Sequence, residues 1–146
     1  MLFAGMSGLF LLGSTLAAGT PRYQYSPSTA KVAACAHAGK AIALPAEFPR
    51  AFPFPRGTVI DRTKPLLKGQ IGIYGYVPSA GFASTVTFFR REVPRAGFKL
   101  LGFEVDAPND SEGTYQGRGK IGRWQLRSLP ACRAAMSFAA SAEAVK

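Results

Sequence analysis

Histidine, cysteine and acidic residues are all scarce in this chain. One histidine, His37, and two cysteines, Cys35 and Cys132, stand among 146 residues. Two lone cysteines and one distant histidine do not make a zinc ligand set, and no serine has a histidine near it in the sequence. The acidic residues show no spacing that indicates the paired carboxylates of a glycosidase. We therefore predict no catalytic residues, no metal site and no cofactor, and expect a protein that is not an enzyme.

The shortage of acidic residues gives the chain a strong positive charge. Eighteen Lys and Arg face 8 Asp and Glu, which leaves a net charge of +10. Such a charge favours weak attraction to polyanions but does not specify a fold. An anionic envelope polymer, an anionic lipid surface and nucleic acid are all candidate partners, and the compartment decides among them.

Charge is entirely absent from the first 21 residues. The run "LFLLGSTLAA" has the pattern of the apolar region of a secretory signal, followed by small residues that suit cleavage. We predict a signal peptide over residues 1–19, with an uncleaved anchor or a buried helix as the alternatives. The basic region that normally opens a signal peptide is missing, so the true start codon can lie upstream. "LAAGT" approaches a lipoprotein cleavage box, but no cysteine follows it to accept a lipid.

The two cysteines fit an exported protein. An even count in an oxidising compartment indicates a disulfide, and we predict one between Cys35 and Cys132. The bridge would close a loop of nearly the whole domain, which the chain-entropy estimate values at about 4–5 kcal/mol. A pair of buried thiols in a cytosolic protein is the alternative.

Proline and small residues divide the chain into a linker and one domain. Residues 20–43 are small, polar and alanine-rich, and we read them as a flexible linker that ends in a segment carrying Cys35. Residues 44–146 form the predicted domain, which the length suits. It opens with "LPAEFPRAFPFPRGT", whose four prolines exclude a helix or a central strand. We expect this segment to be extended, with Phe48, Phe52 and Phe54 packed as a strap over the core.

The remaining residues predict an α+β fold. "GTVIDR" and residues 69–78 are strand candidates, and the second alternates clearly between apolar and polar positions. Phe82, Val86, Phe89 and Val93 then recur at helical spacing, which predicts one main helix over about 79–96. Strand candidates follow at 98–105, 113–119, 121–129 and 133–141. The order β-β-α-β-β-β-β favours a two-layer domain, a mostly antiparallel sheet of five or six strands with the helix on one face.

Two loops resemble ligand motifs without the required context. "GRGKIG", residues 117–122, matches the G-x-G-x-x-G string of nucleotide loops, but a strand pattern follows where a helix is needed. We predict a tight hairpin turn there instead. "DAPNDSEG", residues 106–113, is rich in oxygen ligands for calcium, but its spacing differs from an EF-hand loop. A polar hairpin loop explains it.

The helix end carries the paired arginines of the chain, in "TFFRREVPRAGFKL". Because the apolar residues face the sheet, Arg90, Arg91 and Arg95 should point to solvent, where they complement the C-terminal dipole. Pro94 should kink or tighten the last turn, and Gly97 can take a left-handed cap. We expect no binding element here.

The candidate binding surface is the polar side of the sheet. In "IGRWQLRSL" the apolar residues alternate with polar ones, and the polar positions carry Arg123, Gln125 and Arg127. The polar side is predicted to collect five residues: Tyr74, Tyr76, Arg118, Arg123 and Arg127. Tyrosines beside arginines make a platform for an anionic ligand through stacking and charge-assisted hydrogen bonds. The competing interpretation is the ordinary polar face of an antiparallel sheet, or a face that the phenylalanine strap covers.

Several stretches resemble a known group of proteins. "LPAEFPRAFPFPRGTVI", "GYVPS", "VTFFRREVPRAGFKLL" and "GRGKIGRWQLR", followed by Cys132, are similar to uncharacterised small secreted or lipoprotein-like domains of high-GC, actinobacterial-type bacteria. The resemblance covers about Leu44 to Ser141. It implies an α+β extracytoplasmic domain, sometimes lipid-anchored, and it implies no activity.

Three functions follow as hypotheses. The first is a non-catalytic domain, secreted or attached to the envelope, that binds an anionic envelope component, a lipid surface or a protein partner. The second is a cytosolic nucleic-acid-binding module that uses the same basic and aromatic face. Its basic residues are scattered rather than striped, so nucleic acid is the less favoured partner. The third is a small secreted hydrolase.

Overall fold

The computed structural model describes residues 39–78, 81–106, 108–130 and 132–145, with only the backbone of 132–134. It contains six strands and one α-helix. The strands are β1 (Val59–Pro65), β2 (Ile71–Pro78), β3 (Lys99–Asp106), β4 (Asp110–Gly117), β5 (Lys120–Leu129) and β6 (Cys132–Ala144), and the helix is α1 (Phe82–Arg95). The predicted α+β class, two-layer arrangement and element order are confirmed. The predicted signal peptide and Cys35 lie outside the described residues.

The six strands form a single antiparallel sheet in the spatial order β1-β2-β6-β5-β4-β3. The chain makes the hairpin β1-β2, crosses through α1 and returns as a four-strand meander. The last strand, β6, then pairs with β2 on one side and β5 on the other. The final strand is therefore central, and it joins the two halves of the sheet.

Alternation along the strands decides which face is buried. In β2 and β6 the residues Ile73, Val77, Met136 and Phe138 are at most 2% exposed. Trp124 and Leu126 of β5 lie opposite Ala140 and Phe138 and complete this inner face. Burying large apolar side chains such as these contributes about 1.5–3 kcal/mol each, so the alternation fixes the strand orientation.

Helix α1 covers the inner face as its spacing predicts. Val86, Phe89 and Val93 are buried, and the ring of Phe89 stacks on Trp124 with 4.6 Å between the ring centroids. The helix begins at Phe82, three residues later than predicted. At its C-terminus Phe98 N donates to Val93 O and Gly97 N to Pro94 O, with a positive φ at Gly97. This Schellman arrangement confirms the predicted glycine cap.

The arginines of the helix face solvent, as predicted, but two of them have a buried partner. Glu92 is 2% exposed, and its carboxylate accepts hydrogen bonds from Arg91 and Arg95. Arg90 lies over the ring of Phe103 instead, at 5.2 Å from the centroid. Pro94 lies inside the last turn of the helix. Nothing in the sequence pattern indicated a buried carboxylate in this helix.

The phenylalanine strap packs on the inner face beside the helix. Phe48, Phe52 and Phe54 are all buried. The centroid of the Phe52 ring lies 4.8 Å from the centroid of the Tyr115 ring. The expectation of an extended strap was wrong. Phe48 N donates to Pro45 O and Phe52 N to Pro49 O, so the strap is a series of turns. A proline lacks the N–H but keeps its carbonyl acceptor, and each of these prolines can therefore open such a turn.

The edges of the sheet differ. Residues near Gly39 lie along β1, where Gly39 N donates to the carboxylate of Asp61 and Ile42 N to Ile60 O. Strand β3 forms the other edge and is mostly exposed. It carries a bulge between Leu100 and Gly102 together with charged residues, features that discourage pairing with another strand.

Within the described residues no helix is long and apolar enough to cross a membrane. In the same part of the chain, no three His, Cys, Asp or Glu residues are grouped to hold a metal ion. "GRGKIG" forms the β4–β5 hairpin turn, as predicted, with strand β5 after it.

Candidate binding trough on the outer sheet face

The outer face of the sheet lies opposite the layer of helix and strap. Cross-strand pairing places Tyr74 beside Ala139 and Ala139 beside Gln125. Tyr76, Ser137 and Arg127 form the next row in the same way. The strap packs on the inner face, so it does not cover the outer one.

Small residues of the central strand form the floor of a trough on this face. Ser137, Ala139 and Ser141 alternate along β6 on its outer side. Taller residues stand on both neighbouring strands, with tyrosines on β2 and arginines and glutamine on β5. Two depressions of about 240 and 370 Å³ lie along this floor. We call this feature the outer trough.

The dimensions of the outer trough follow from strand geometry. Four residue steps from Ser137 to Ser141 span about 14 Å, at roughly 3.4 Å per residue. The flanking strands β2 and β5 are two strand spacings apart, which is about 10 Å between backbones. The trough is therefore elongated along β6, with the length of four residues of an extended chain.

One wall of the trough is aromatic. Tyr74 and Tyr76 are both half-buried, and Arg62 of β1 lies over the Tyr74 ring at 5.6 Å from its centroid. The three side chains line the same depression as Arg127. A tyrosine offers an apolar ring face and a hydroxyl, so this wall can both stack and form hydrogen bonds.

The other wall is held by ion pairs with strand β4. Arg123 Nη2 donates to Glu112 Oε2 at 2.9 Å, and Arg127 Nη2 to Asp110 Oδ2 at 2.8 Å. Gln125 Nε2 donates to both carboxylates, at 2.9 Å to Glu112 Oε1 and 3.3 Å to Asp110 Oδ2. The two carboxylates thus hold the side chains of Arg123, Gln125 and Arg127 in place, and they also neutralise part of the positive charge of the arginines.

The predicted face is therefore assembled in part. Tyr74, Tyr76, Arg123 and Arg127 lie on the outer face, and β6 separates the tyrosines from the arginines. Arg118 does not belong there. It lies in the β4–β5 turn, and its Nε donates to the Ala96 carbonyl at the end of α1, at 2.9 Å. The side chain of a turn residue does not follow the alternation of a strand, and the sequence pattern therefore assigned Arg118 to the wrong face.

Sequence reasoning also missed the floor and one wall residue. Ser137, Ala139 and Ser141 stand out only as small residues on one parity of β6, which alternation could have revealed. Arg62 becomes part of the trough through the order of the strands, which alternation does not encode, whereas Gln125 shares the parity of Arg123 and Arg127 on β5.

Searches against family models, curated proteins and solved structures match nothing to this chain.

Proposed function

We propose that this chain is a non-catalytic extracytoplasmic domain that binds an anionic envelope component in the outer trough. One observation carries the proposal: a row of small residues, Ser137, Ala139 and Ser141, runs between a tyrosine wall and an arginine wall. Ordinary sheet surfaces favour β-branched and aromatic residues. A row of small ones at the centre of the sheet leaves space that a ligand can occupy.

The shape of the trough favours an extended polymer as the ligand. Its floor is elongated, about 14 Å from Ser137 to Ser141, so a linear chain can lie along it. The faces of the tyrosine rings on one side can pack against the CH and CH2 groups of a repeating unit. The side chains of Arg123, Gln125 and Arg127 on the other side suit acidic and hydroxyl groups.

The arginines keep donors for an anion despite their ion pairs. A guanidinium has five N–H donors, and the carboxylates of β4 occupy one on Arg123 and two on Arg127. Both arginines are more than half exposed, and exposed ion pairs contribute only about 0–1 kcal/mol. A phosphate or carboxylate of the ligand can therefore bind the guanidinium N–H groups that Asp110 and Glu112 leave free.

The compartment part of the proposal depends on the sequence. The uncharged start of the chain, the predicted Cys35–Cys132 bridge and the net charge of +10 all suit an exported protein that meets anionic polymers. The resemblance to small secreted domains points the same way. Mass spectrometry of the secreted protein, with and without reductant, checks this part. We expect a shortened N-terminus and no free thiol, whereas an intact N-terminus with two free thiols would refute export.

Binding is tested with poly(glycerol phosphate) as the anionic polymer and dextran as the neutral one. We expect the protein to bind the first and not the second. Replacing Arg123 and Arg127 together by glutamine removes two charge-assisted contacts and should weaken binding about tenfold or more. The matched control replaces Arg50 and Arg90 by glutamine, which makes the same change in net charge on the opposite layer.

The control separates a site from general charge attraction. If both double variants lose affinity equally, the trough is not the binding site. Unchanged affinity in the Arg123 and Arg127 variant would also end the proposal. Tighter binding of single-stranded oligo(dT) than of the polymer would favour the nucleic-acid-binding module instead. Binding of neither, with capture of one defined protein through the trough, would favour a protein partner.

A further inference from the structure

A second, larger groove lies on the other layer of the domain. It runs between the end of the strap and the first two turns of helix α1, and its volume is about 750 Å³. Its lining is made of two prolines, two arginines and several small or aromatic residues of the helix. We call it the helix groove. It is separate from the outer trough, and no described residue lines both.

The groove exists because the helix has more apolar surface than the sheet covers. Val86 and Phe89 face the sheet and are buried, whereas Phe88 turns to the side and is half-buried. Ala83, in the first turn of the helix, is exposed and lines the same groove. The strap reaches this side only with Pro55 and Arg56 and then leads into β1, so it leaves a channel along the helix.

The threonine hydroxyls that line the helix groove already donate to backbone carbonyl groups. The Thr85 hydroxyl donates to Gly81 O at 3.1 Å and the Thr87 hydroxyl to Ala83 O at 2.9 Å. A threonine bonded in this way presents its methyl group and an acceptor oxygen rather than a donor. Together with the rings of Pro55 and Phe88, these side chains give the groove a largely apolar wall.

Two arginines stand at the same groove. Arg91 follows Phe88 by one helical turn, and the Glu92 carboxylate holds its Nε. Arg56 comes from the strap, is exposed, and has no carboxylate partner within the described part of the chain. The groove thus combines an apolar wall with two guanidinium groups, each able to donate to a phosphate or carboxylate.

We infer that the helix groove binds a single-chain amphiphile with an anionic head, the head between Arg56 and Arg91 and the tail along Pro55, Ala83 and Phe88. Its volume lies within the range of about 300–1,000 Å³ typical of small-molecule sites. Burial of the tail supplies affinity, and the arginines select the charge of the head. The inference uses residues that the outer trough does not contain, so either proposal can fail without the other.

The test measures binding of dodecyl phosphate by calorimetry, below its micelle concentration, with inorganic phosphate and dodecyl maltoside as comparison ligands. We expect the full chain to bind dodecyl phosphate at least tenfold more tightly than either one. Arg56→Gln should weaken that binding about fivefold to tenfold, because one charge-assisted contact is lost. Ala83→Leu, at an exposed helix position that tolerates leucine, should weaken it by filling the path of the tail.

We choose Arg56→Gln as the test variant rather than a change at Arg91. Because Arg91 also pairs with the buried Glu92, replacing Arg91 can disturb folding. Arg50→Gln, on the same strap but outside the groove, is the matched control and should bind like the unchanged protein. Equal affinity for dodecyl maltoside would overturn the assignment of an anionic head. Equal affinity for inorganic phosphate, or full binding by the Ala83→Leu variant, would overturn the assignment of a tail.

Discussion

Arg118 joins the β4–β5 turn to the C-terminal end of helix α1. Its Nε donates to the carbonyl oxygen of Ala96 at 2.9 Å, and its own φ is 54°. Gly119 follows with a φ of 70°, so the two residues form the two-residue turn that suits the twist of a hairpin. A residue other than glycine costs about 1–2 kcal/mol in this conformation. The hydrogen bond to the helix offsets that cost.

This relationship predicts an unusual order of stability for two variants. Arg118→Ala loses the hydrogen bond but keeps the strained backbone, and should lower the free energy of unfolding by about 1 kcal/mol. Arg118→Gly loses the same bond but relieves the strain, and should be close to the unchanged protein. Urea unfolding of the three proteins checks the order. A glycine variant less stable than the alanine variant would contradict it.

The position of Arg118 also predicts a result for ligand binding. Because the side chain reaches the helix layer, Arg118→Ala should leave binding of poly(glycerol phosphate) at the outer trough unchanged. A loss of affinity as large as that of the Arg123 and Arg127 variant would restore Arg118 to the binding face.

A second prediction concerns the space beside the single tryptophan. Gly113 lies directly across from Trp124 on the inner face, and a Cβ at Gly113 would stand 2.4 Å from the indole Nε1. The indole cannot retreat, because it stacks on Phe89. Gly113→Ala should therefore lower the free energy of unfolding by about 1–3 kcal/mol, the usual range for overpacking.

The control for Gly113 lies on the neighbouring strand. A Cβ at Gly102 would meet its nearest atom, Thr114 Oγ1, at 3.9 Å, which is an ordinary contact. Gly102→Ala should thus change the free energy of unfolding by less than about 0.5 kcal/mol. Urea unfolding followed by the fluorescence of Trp124 measures both variants. Equal effects would mean that the indole ring moves aside for the added methyl group.

Each strand and helix of this fold is predicted by residues close together in the sequence, whereas each binding surface is formed by residues far apart in it. The alternation of apolar and polar residues predicted β2 and β5. The helical spacing of apolar residues predicted α1, and Gly97 predicted where α1 ends. Those signals reach over a few residues. The placement of β6 between β2 and β5 depends on contacts more than 50 residues apart, such as Gly75 with Phe138. No local pattern encodes that pairing, and the outer trough exists only because of it.

The failures of the sequence reasoning have a similar origin. The density of prolines excluded a helix or a central strand from the strap, but it did not say whether the strap is extended or forms turns. That depends on which carbonyl group accepts a hydrogen bond from the N–H of the following phenylalanine. The alternation of strand residues placed Arg118 on a sheet face. In a turn, however, successive side chains do not alternate between the two faces of the sheet. Glu92 is the buried partner of Arg91 and Arg95, and the spacing of the acidic residues did not indicate that burial.

A third prediction comes from the buried phenol of Tyr115. The ring is fully buried, and its hydroxyl donates to the Ser141 carbonyl oxygen at 2.8 Å. Gly122 lies between the two, and a Cβ there would stand 2.6 Å from the hydroxyl, so only glycine leaves the path open. Burial raises the pKa of Tyr115 well above its ordinary value of 10.0, because the phenolate would lose its hydration.

The raised pKa makes stability depend on alkaline pH. In the unfolded chain the phenol loses its proton near pH 10, while in the folded protein it stays neutral. The contribution of the neutral phenol to stability is therefore complete below pH 10. It falls by about 1.4 kcal/mol per pH unit above that value, until the pH reaches the folded-state pKa. The folded protein should lose stability steeply in strong alkali.

Tyr115→Phe tests this dependence. At pH 7 the variant loses one buried hydrogen bond and should be about 1 kcal/mol less stable than the unchanged protein. Above pH 10 it has no phenol at this position to ionise, so its disadvantage should shrink and then reverse. Tyr74→Phe, which removes a phenol from the outer face, is the matched control. Urea unfolding at intervals from pH 7 to 11 measures the difference. A constant gap between the Tyr115→Phe variant and the unchanged protein across that range would mean that the Tyr115 phenol ionises equally easily in the folded and unfolded chains.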